Sequence, residues 1–515
     1  MDKGEAPLRI MLSYKSILLY SSLALQVQAS VLQFTNPNKC CSLLDSKFPG
    51  QSKVFSSTAP EYNDLTFYWT PTAQVLPRCV FTPHNTNDVK KAVKLFARRN
   101  CQFAVRSGGH SYNPGWAGIK RGVLISLGNM NHTSYSSHTG LATVEGGSRW
   151  TDVYGALLPY NVTVLGGRNS DLGVGGYLTG GGISFYANKE GWAADNIASV
   201  EIVLGNGTVI NADRTHHSDL LRSIKGGSNN FGIITKFRLM TVDATGIFNG
   251  WYMRYPFAST DAYLAAAESY CNGGVDTDTK SHIIFSASIV GTNPMTNVAL
   301  MAYDGVLDPL SPPTVLGPFF DGTVPNPTFQ WFAPNGTIKS ATDGLRDAQG
   351  SGNRYTMTTV SIQVELSLLK KLRAAWLEMT TNDLKITPGF LVQFAFQPVG
   401  ATWIAASEAK GGNSMGITEP LAVMWIQLRW DNQSDDKTML QYSRRLIRRF
   451  ERIASRAGKL ASFRYLNYGD RFHKDDIIPS YGSESVTRLQ NTKALYDPQN
   501  VFGRLVPGGF KVPGY

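Results

Sequence analysis

Arg106-Ser-Gly-Gly-His110 and Gly173-Val-Gly-Gly-Tyr-Leu-Thr-Gly-Gly-Gly182 are the two stretches on which the reading of this chain turns. Glycine admits positive φ and lets backbone approach a ligand where a Cβ would collide. Successive N–H groups in such loops form a concave anion site, a common way of holding a pyrophosphate. The first loop adds the Arg106 guanidinium and the His110 ring. Two loops of this kind predict one large phosphorylated cofactor, gripped from two sides.

The familiar nucleotide motifs fail at their own key positions. G-x-G-x-x-G breaks at Leu178, three residues after Gly175, and Gly180-Gly-Gly-Ile183 lacks the lysine of a Walker loop. A third cluster, Gly226-Gly-Ser-Asn-Asn-Phe-Gly232, follows. Outward from the loops, Asn85 to Arg99 has a capped helical pattern, and Cys101 to Val105 is a buried strand running into the first loop. Two β-rich runs flank Gly205-Asn206-Gly207 and predict a hairpin. From about Gly246 strand-like runs (283–289, 298–303, 390–396, 423–429) alternate with amphipathic helices near 260–270, 366–382 and 438–457. Residues 305–336, punctuated by Pro and Gly, are expected to be irregular.

At 515 residues, with 42% apolar and 17% charged content, the chain should form at least two domains. The net charge is +11, but the cluster Arg444, Arg445, Arg448, Arg449, Arg452 and Arg456 interleaves with apolar residues at helical spacing. It is the wet face of a helix rather than a nucleic-acid site. Residues 1–29 have the pattern of a signal peptide, with Met11 an alternative start, and no apolar run is long enough to span a bilayer. Sequons at Asn131, Asn161, Asn206, Asn335 and Asn432 agree with secretion and N-glycosylation. Five cysteines (Cys40, Cys41, Cys79, Cys101, Cys271) lack any metal-ligand spacing, so no metal is expected, and their odd number leaves at least one free.

Arg106-Ser-Gly-Gly-His-Ser-Tyr-Asn-Pro-Gly115, Gly173–Gly182, Asp195-Asn196, Gly226–Gly232, Tyr465-Leu-Asn-Tyr468, Tyr496-Asp-Pro-Gln-Asn-Val-Phe502 and Pro507-Gly-Gly-Phe510 stand in an order that resembles the berberine-bridge-enzyme-like FAD-linked oxidoreductases of the vanillyl-alcohol-oxidase superfamily. The resemblance implies an α+β fold: a two-part PCMH-type FAD-binding domain and a substrate domain of antiparallel sheet backed by helices. The implied divisions are residues 30–245 for the first part of the FAD-binding domain, 246–457 for the substrate domain, and 458–515 for a C-terminal segment that returns to the FAD-binding domain.

The resemblance also assigns residues. His110 is the expected covalent link to the flavin 8α carbon. The second link of some relatives uses a cysteine where this chain has Asn169, so attachment through His110 alone is expected. Arg106, Ser107, Gly108, Gly109 and Ser111, with Leu172, Gly173, Gly175, Gly176, Gly180 and Asn467, are expected cofactor contacts. Leu172 also falls where a bulkier side chain is associated with poor oxygen reactivity. Tyr468 is the expected base, with Tyr465 the other choice, and Tyr112 matches a further pocket tyrosine. Ile183 replaces a tyrosine common in relatives, while Gln393 and Gln427 are candidates to face the pocket. Cys101 is expected to pair with Cys40 or Cys41. The implied function is secreted, FAD-dependent oxidation of a small alcohol, sugar or specialised metabolite. Hydride would pass to flavin N5, and oxygen or another acceptor would take the electrons. The alternatives are a dehydrogenase with poor oxygen reactivity and a flavin-binding protein without efficient turnover. No nucleic-acid or membrane partner is expected.

Overall fold

The computed structural model describes residues 33–514 except 52, 245–247, 306–310, 326 and 387, with the side chains of Pro334 and Asn335 also omitted. The candidate signal peptide at 1–29 lies outside the described residues. Strands β1 (Val54–Ser56), β2 (Cys79–Phe81), β3 (Phe103–Arg106) and β4 (Val123–Ser126) form a four-stranded sheet in the order β1-β2-β4-β3. Helix Thr86–Arg99 covers it. The Asn85 side chain caps the helix by accepting from the Asp88 N–H, and Val89, Val93 and Phe96 turn inward. β3 and β4 run parallel, so the residues immediately after Arg106 leave the sheet at one edge.

A second sheet, ordered β5-β6-β10-β8-β9, contains β5 (Thr133–Ser136), β6 (Leu141–Glu145), β8 (Ile197–Val203), β9 (Val209–Asp213) and β10 (Ile233–Met240). The expected hairpin about Gly207 is the β8–β9 pair, with Gly207 at φ +82°. A short ribbon pairs β7 (Val162–Thr163) with β11 (Val242–Asp243).

The remaining strands make one antiparallel sheet, ordered β15-β12-β14-β13-β17-β18-β16-β19. Its members are β12 (Phe248–Pro256), β13 (Ser281–Val290), β14 (Thr296–Asp304), β15 (Phe329–Gly336), β16 (Arg354–Ile362), β17 (Leu391–Val399), β18 (Leu421–Trp430) and β19 (Leu460–Ala461). Successive side chains on a strand face opposite ways, so this sheet has two distinct faces. Phe285, Phe394 and Ile426 pack with Leu372, Trp376, Leu446 and Phe450 from helices Leu366–Asp383 and Asp436–Arg456. Ile284, Met357, Ala395 and Trp425 face the other way, toward Tyr112 and Tyr468. The outer arginines of helix Asp436–Arg456 pair with its neighbour, Arg445 with Asp383 and Arg449 with Glu378.

β15 corrects the expectation that 305–336 is irregular throughout: residues 329–336 form a strand that pairs with β12 across a register shift. Val501, Phe502, Leu505 and Val506 pack in the core of the first sheet, where the Phe103 N–H donates to the Leu505 carbonyl. Two disulfides fasten the helix Pro37–Asp45 to the same layer, Cys40–Cys101 and Cys41–Cys79. Cys271 is free and buried. No helix among the described residues is long and apolar enough to cross a membrane, and no group of metal-ligating side chains is present among them. The sequon asparagines 131, 161, 206 and 432 are all exposed.

Candidate active site

The two glycine stretches meet backbone to backbone. A Cβ on Gly108 would lie 2.4 Å from the Gly173 nitrogen, and one on Gly173 would lie 2.1 Å from the Gly108 nitrogen. Each glycine is therefore required by the other loop, besides any ligand. The Gly175 N–H donates to Ser107 Oγ (3.2 Å), and Arg149 ties the junction by donating to the Gly108 carbonyl and to Asp171 (both 2.9 Å). Gly109 has φ +68°. At Gly176 a Cβ would meet nothing within 4 Å, so that edge stays open to the cleft. Gly180 leaves room for the Asn467 carboxamide, whose Oδ1 would lie 2.1 Å from a Cβ there. Asn467 Nδ2 in turn donates to the Tyr177 carbonyl (3.0 Å) and to the Tyr465 hydroxyl (3.1 Å).

Two details differ from the sequence reading. The second stretch is not an open loop, because Val174–Thr179 is helical, and within it the Gly175 N–H is the one that reaches the first loop, at Ser107. Arg106 does not reach the cleft. Its guanidinium is buried, donating to the carbonyls of Leu65 and Phe67 and to Ser126 Oγ (2.6, 3.1 and 3.0 Å). There it lies over the Tyr68 ring. It braces the segment that passes beneath the first loop.

Between these loops and the bare face of the large sheet lies a cleft of about 560 Å³. His110, Ser111 and Tyr112 line it, as do Asn169, Leu172, Ile183, Gln393, Gln427, Asn467 and Tyr468. The His110 ring stacks on Trp69 with centroids 4.1 Å apart. Its Nε2 is buried with no protein hydrogen-bond partner. Burial, helped by the Arg149 charge, pushes the His110 pKa down to about 3, so the ring is neutral at ordinary pH and keeps a lone pair. Burial also raises the Tyr112 phenol above its usual value. Asn169 is engaged as an amide, donating to Gln349 Oε1 (2.9 Å).

The residue that sequence reasoning missed is Arg168. It donates to the Tyr468 hydroxyl (2.7 Å) and to His282 Nε2 (2.9 Å), and it bonds to Gln397 as well. Because guanidinium only donates, Tyr468 Oη must accept, and its own proton points elsewhere. Among the described residues no carboxylate bonds to Arg168. A signal was available: Arg168 is the only basic residue between Val164 and Ile183. Tyr465 stands edge-on to Tyr468 at 4.7 Å, but its hydroxyl is committed to the Gly182 N–H (3.0 Å). Of the two tyrosines, only Tyr468 keeps a hydroxyl face for a ligand. Gln393 and Gln427 are opposite one another on β17 and β18, and Gln393 donates to Ser286 Oγ (3.2 Å).

These features suit a flavin. The glycine junction offers backbone donors, the open edge at Gly176 admits a ligand, and the His110 ring, which carries an orphaned nitrogen, lines the cleft. Comparison with known proteins agrees. Residues 77–213 match the model of an FAD binding domain. The FAD-dependent monooxygenase sdcF of Emericella nidulans is 32% identical over 492 residues, covering 92% of this chain and 98% of that protein. The chain belongs to the berberine-bridge-enzyme-like, PCMH-type family of FAD-linked oxidoreductases. A second FAD-dependent monooxygenase, tpcD of Cochliobolus heterostrophus, is 30% identical, covering 89% of this chain and 90% of that protein. Among solved structures, the glucooligosaccharide oxidase of Acremonium strictum superposes with a TM-score of 0.77 at 17% identity, covering 94% of this chain and all (100%) of that one. The BBE-like 1 protein of Physcomitrella patens gives 0.75 at 20% identity, covering 93% and 100%. The chain is thus an FAD-dependent oxidoreductase with this family's α+β architecture.

Proposed function

We propose that this family member oxidises a small organic alcohol with FAD attached through His110 alone, and that it acts outside the cell as a glycoprotein. The observation that carries the reading is the convergence, in one cleft, of the orphaned His110 nitrogen with a Tyr468 hydroxyl held by an arginine. When bound, FAD supplies a two-electron acceptor for a hydride at its N5. His110 is neutral and desolvated, which leaves its free ring nitrogen nucleophilic toward the flavin 8α carbon. Asn169, occupied with Gln349, offers no thiol for a second bond.

Tyr468, as the phenolate once its own proton has passed to solvent, receives the substrate hydroxyl proton while the carbinol carbon gives up its hydrogen with the electron pair. Two electrons and two protons leave the alcohol, and a carbonyl remains. Arg168 stabilises the phenolate form in which Tyr468 takes that proton and holds the oxygen in place. Ser107, Gly108, Gly109, Gly173, Gly175 and Gly176 form the phosphate and ring cradle, with Ser111, Leu172, Gly180 and Asn467 around it. Tyr112, kept protonated by burial, packs beside the reacting groups as a neutral donor. Leu172 at the mouth of the second stretch favours slow reoxidation by oxygen, which makes a dehydrogenase the second reading. The monooxygenase names of the relatives make oxygen consumption per turnover worth following in the same assay. The exposed sequon asparagines support glycosylation on a secretory route.

The test is anaerobic mixing of the purified holoprotein with a panel of alcohols, followed by air. Bleaching with return of colour establishes oxidation, and the rate of return separates oxidase from dehydrogenase. A flavin that no alcohol bleaches would leave a binding protein and sink the reading. Tyr468→Phe is expected to keep the flavin and slow bleaching by roughly a hundredfold, the ordinary scale of a general base.

A further inference from the structure

The sheet face opposite Tyr468 carries information about the substrate that the cofactor site does not use. Paired residues on neighbouring antiparallel strands share a face, so the register lays out two rows. One runs Trp425–Ala395–Ser286–Val298–Arg254–Phe329 across β18, β17, β13, β14, β12 and β15. The other runs Ile284–Leu300–Tyr252–Trp331 across β13, β14, β12 and β15. Both begin beside Tyr468, whose ring lies 4.9 Å from that of Trp425. They leave the cleft at Val298 and at Tyr252 and end on the edge strand, where Trp331 is 48% and Phe329 46% exposed. The Arg254 guanidinium lies over both Phe329 (4.9 Å) and Tyr252 (5.5 Å) and sets these rings in order.

On the two rows the polar side chains are Ser286, Tyr252 and Arg254, while Gln393, Gln427, Arg429 and Tyr355 line the cleft beside them. No aspartate or glutamate lines the cleft among the described residues. Of its neutral polar groups, Gln393 and Ser286 already bond to each other. A saccharide brings a hydroxyl on nearly every carbon, and each one buried without a partner is costly. A flat carbon-rich ring instead gains from Ile284, Leu300, Met357 and Trp425 beneath it. Large aromatics continuing from a cleft onto an edge strand extend that surface beyond the reacting end.

We infer that the substrate is a planar, carbon-rich ring compound bearing one oxidisable hydroxyl, its ring system lying on the sheet face from Trp425 toward Tyr252 and Trp331, and that oligosaccharides are not its class. This rests on the cleft being the oxidation site. The head hydroxyl meets Tyr468, and the ring system extends outward as its size grows.

Binding and turnover are read separately on the holoprotein. Difference spectra of the flavin are recorded with 2-naphthol, which has no carbinol hydrogen, and with methyl β-cellobioside. The naphthol is expected to bind at least about tenfold more tightly, and equal or tighter binding of the glycoside overturns the inference. For turnover, KM is compared for benzyl alcohol and 1-pyrenemethanol in Trp331→Ala. The variant is expected to raise KM for the larger alcohol several-fold more than for the smaller, with Trp331→Tyr restoring most of the difference. Equal changes for both alcohols overturn the outward placement. If 2-naphthol binds but no alcohol bleaches the flavin, the oxidation reading fails while the ring-binding inference stands. If cellobiose bleaches the flavin and the ring alcohols do not, the inference fails while the oxidation reading stands.

Discussion

Arg168 is a cation at the cleft wall that bonds to a phenol, an imidazole and a carboxamide, and to no carboxylate among the described residues. A charge so placed stabilises negative charge on whichever partner can develop it, and of the three only Tyr468 lies where a substrate proton arrives. Arg168→Met is therefore expected to retain covalent flavin and lower the rate of flavin reduction by roughly a hundredfold. Arg168→Lys should recover only part of that, since an ammonium cannot serve all three partners from one planar fork. An unchanged rate in the methionine variant would remove Arg168 from the chemistry. The same cluster sets an acid limit on stability. Burial, with the Arg168 charge, holds His282 well below its usual value, and burial holds His110 at about 3. Between pH 6.5 and 5 the unfolded chain takes up protons on both rings while the folded protein does not, so stability is complete above 6.5 and falls as pH falls. The slope is at most about 1.4 kcal/mol per pH unit for each histidine. In the flavin-free His110→Ala protein, melting temperature across this window is expected to fall less steeply when His282→Gln is added. An identical slope would rule out His282 as a contributor.

Much at the level of elements could be read in the sequence because the signals were local. The Asn85 cap, the Gly207 hairpin and the amphipathic stripes each depend on spacing within a few residues, and the structure has them at those places. Long-range facts were not legible. The meeting of Gly108 with Gly173 joins residues far apart in sequence, and a glycine that serves another loop looks the same as one that serves a ligand. The guanidinium of Arg106 turned out to brace Leu65 and Phe67 rather than the cleft, because a buried arginine takes whatever carbonyls the tertiary fold presents. β15 was hidden by the Pro and Gly around it, and its pairing with β12 overrode the local signal. At the glycine junction, Gly173→Ala should force the two loops apart. Overpacking of this kind costs roughly 1–3 kcal/mol, and the expected result is protein that folds with a lower Tm and incorporates little flavin. Full flavin content in that variant would show that the junction tolerates separation.

For the whole molecule, the N-terminal helix, the first sheet and the residues near Val501 share one core, closed by two disulfides. The family resemblance implied Cys101 as half of a bridge, yet the Cys41–Cys79 bridge depends on how the helix Pro37–Asp45 lies against β2. Replacing both Cys41 and Cys79 by alanine is expected to cost about 3 kcal/mol in the loop-entropy account, read as a lower denaturant midpoint with flavin reduction rates unchanged. A loss of activity without a loss of stability would contradict a purely structural bridge. The cleft itself is a property of this scale, since its loops come from one half of the chain and its floor from the other. Everything proposed for it depends on a flavin bonded at one place. The direct test is the intact mass of the acid-denatured protein together with its visible spectrum. Wild-type chain is predicted to carry the mass of one FAD and stay yellow in the precipitate, with His110→Ala losing both and Asn169→Ala losing neither. Yellow colour released wholly into the supernatant from the wild-type protein, or retained on the His110→Ala chain, would contradict the account.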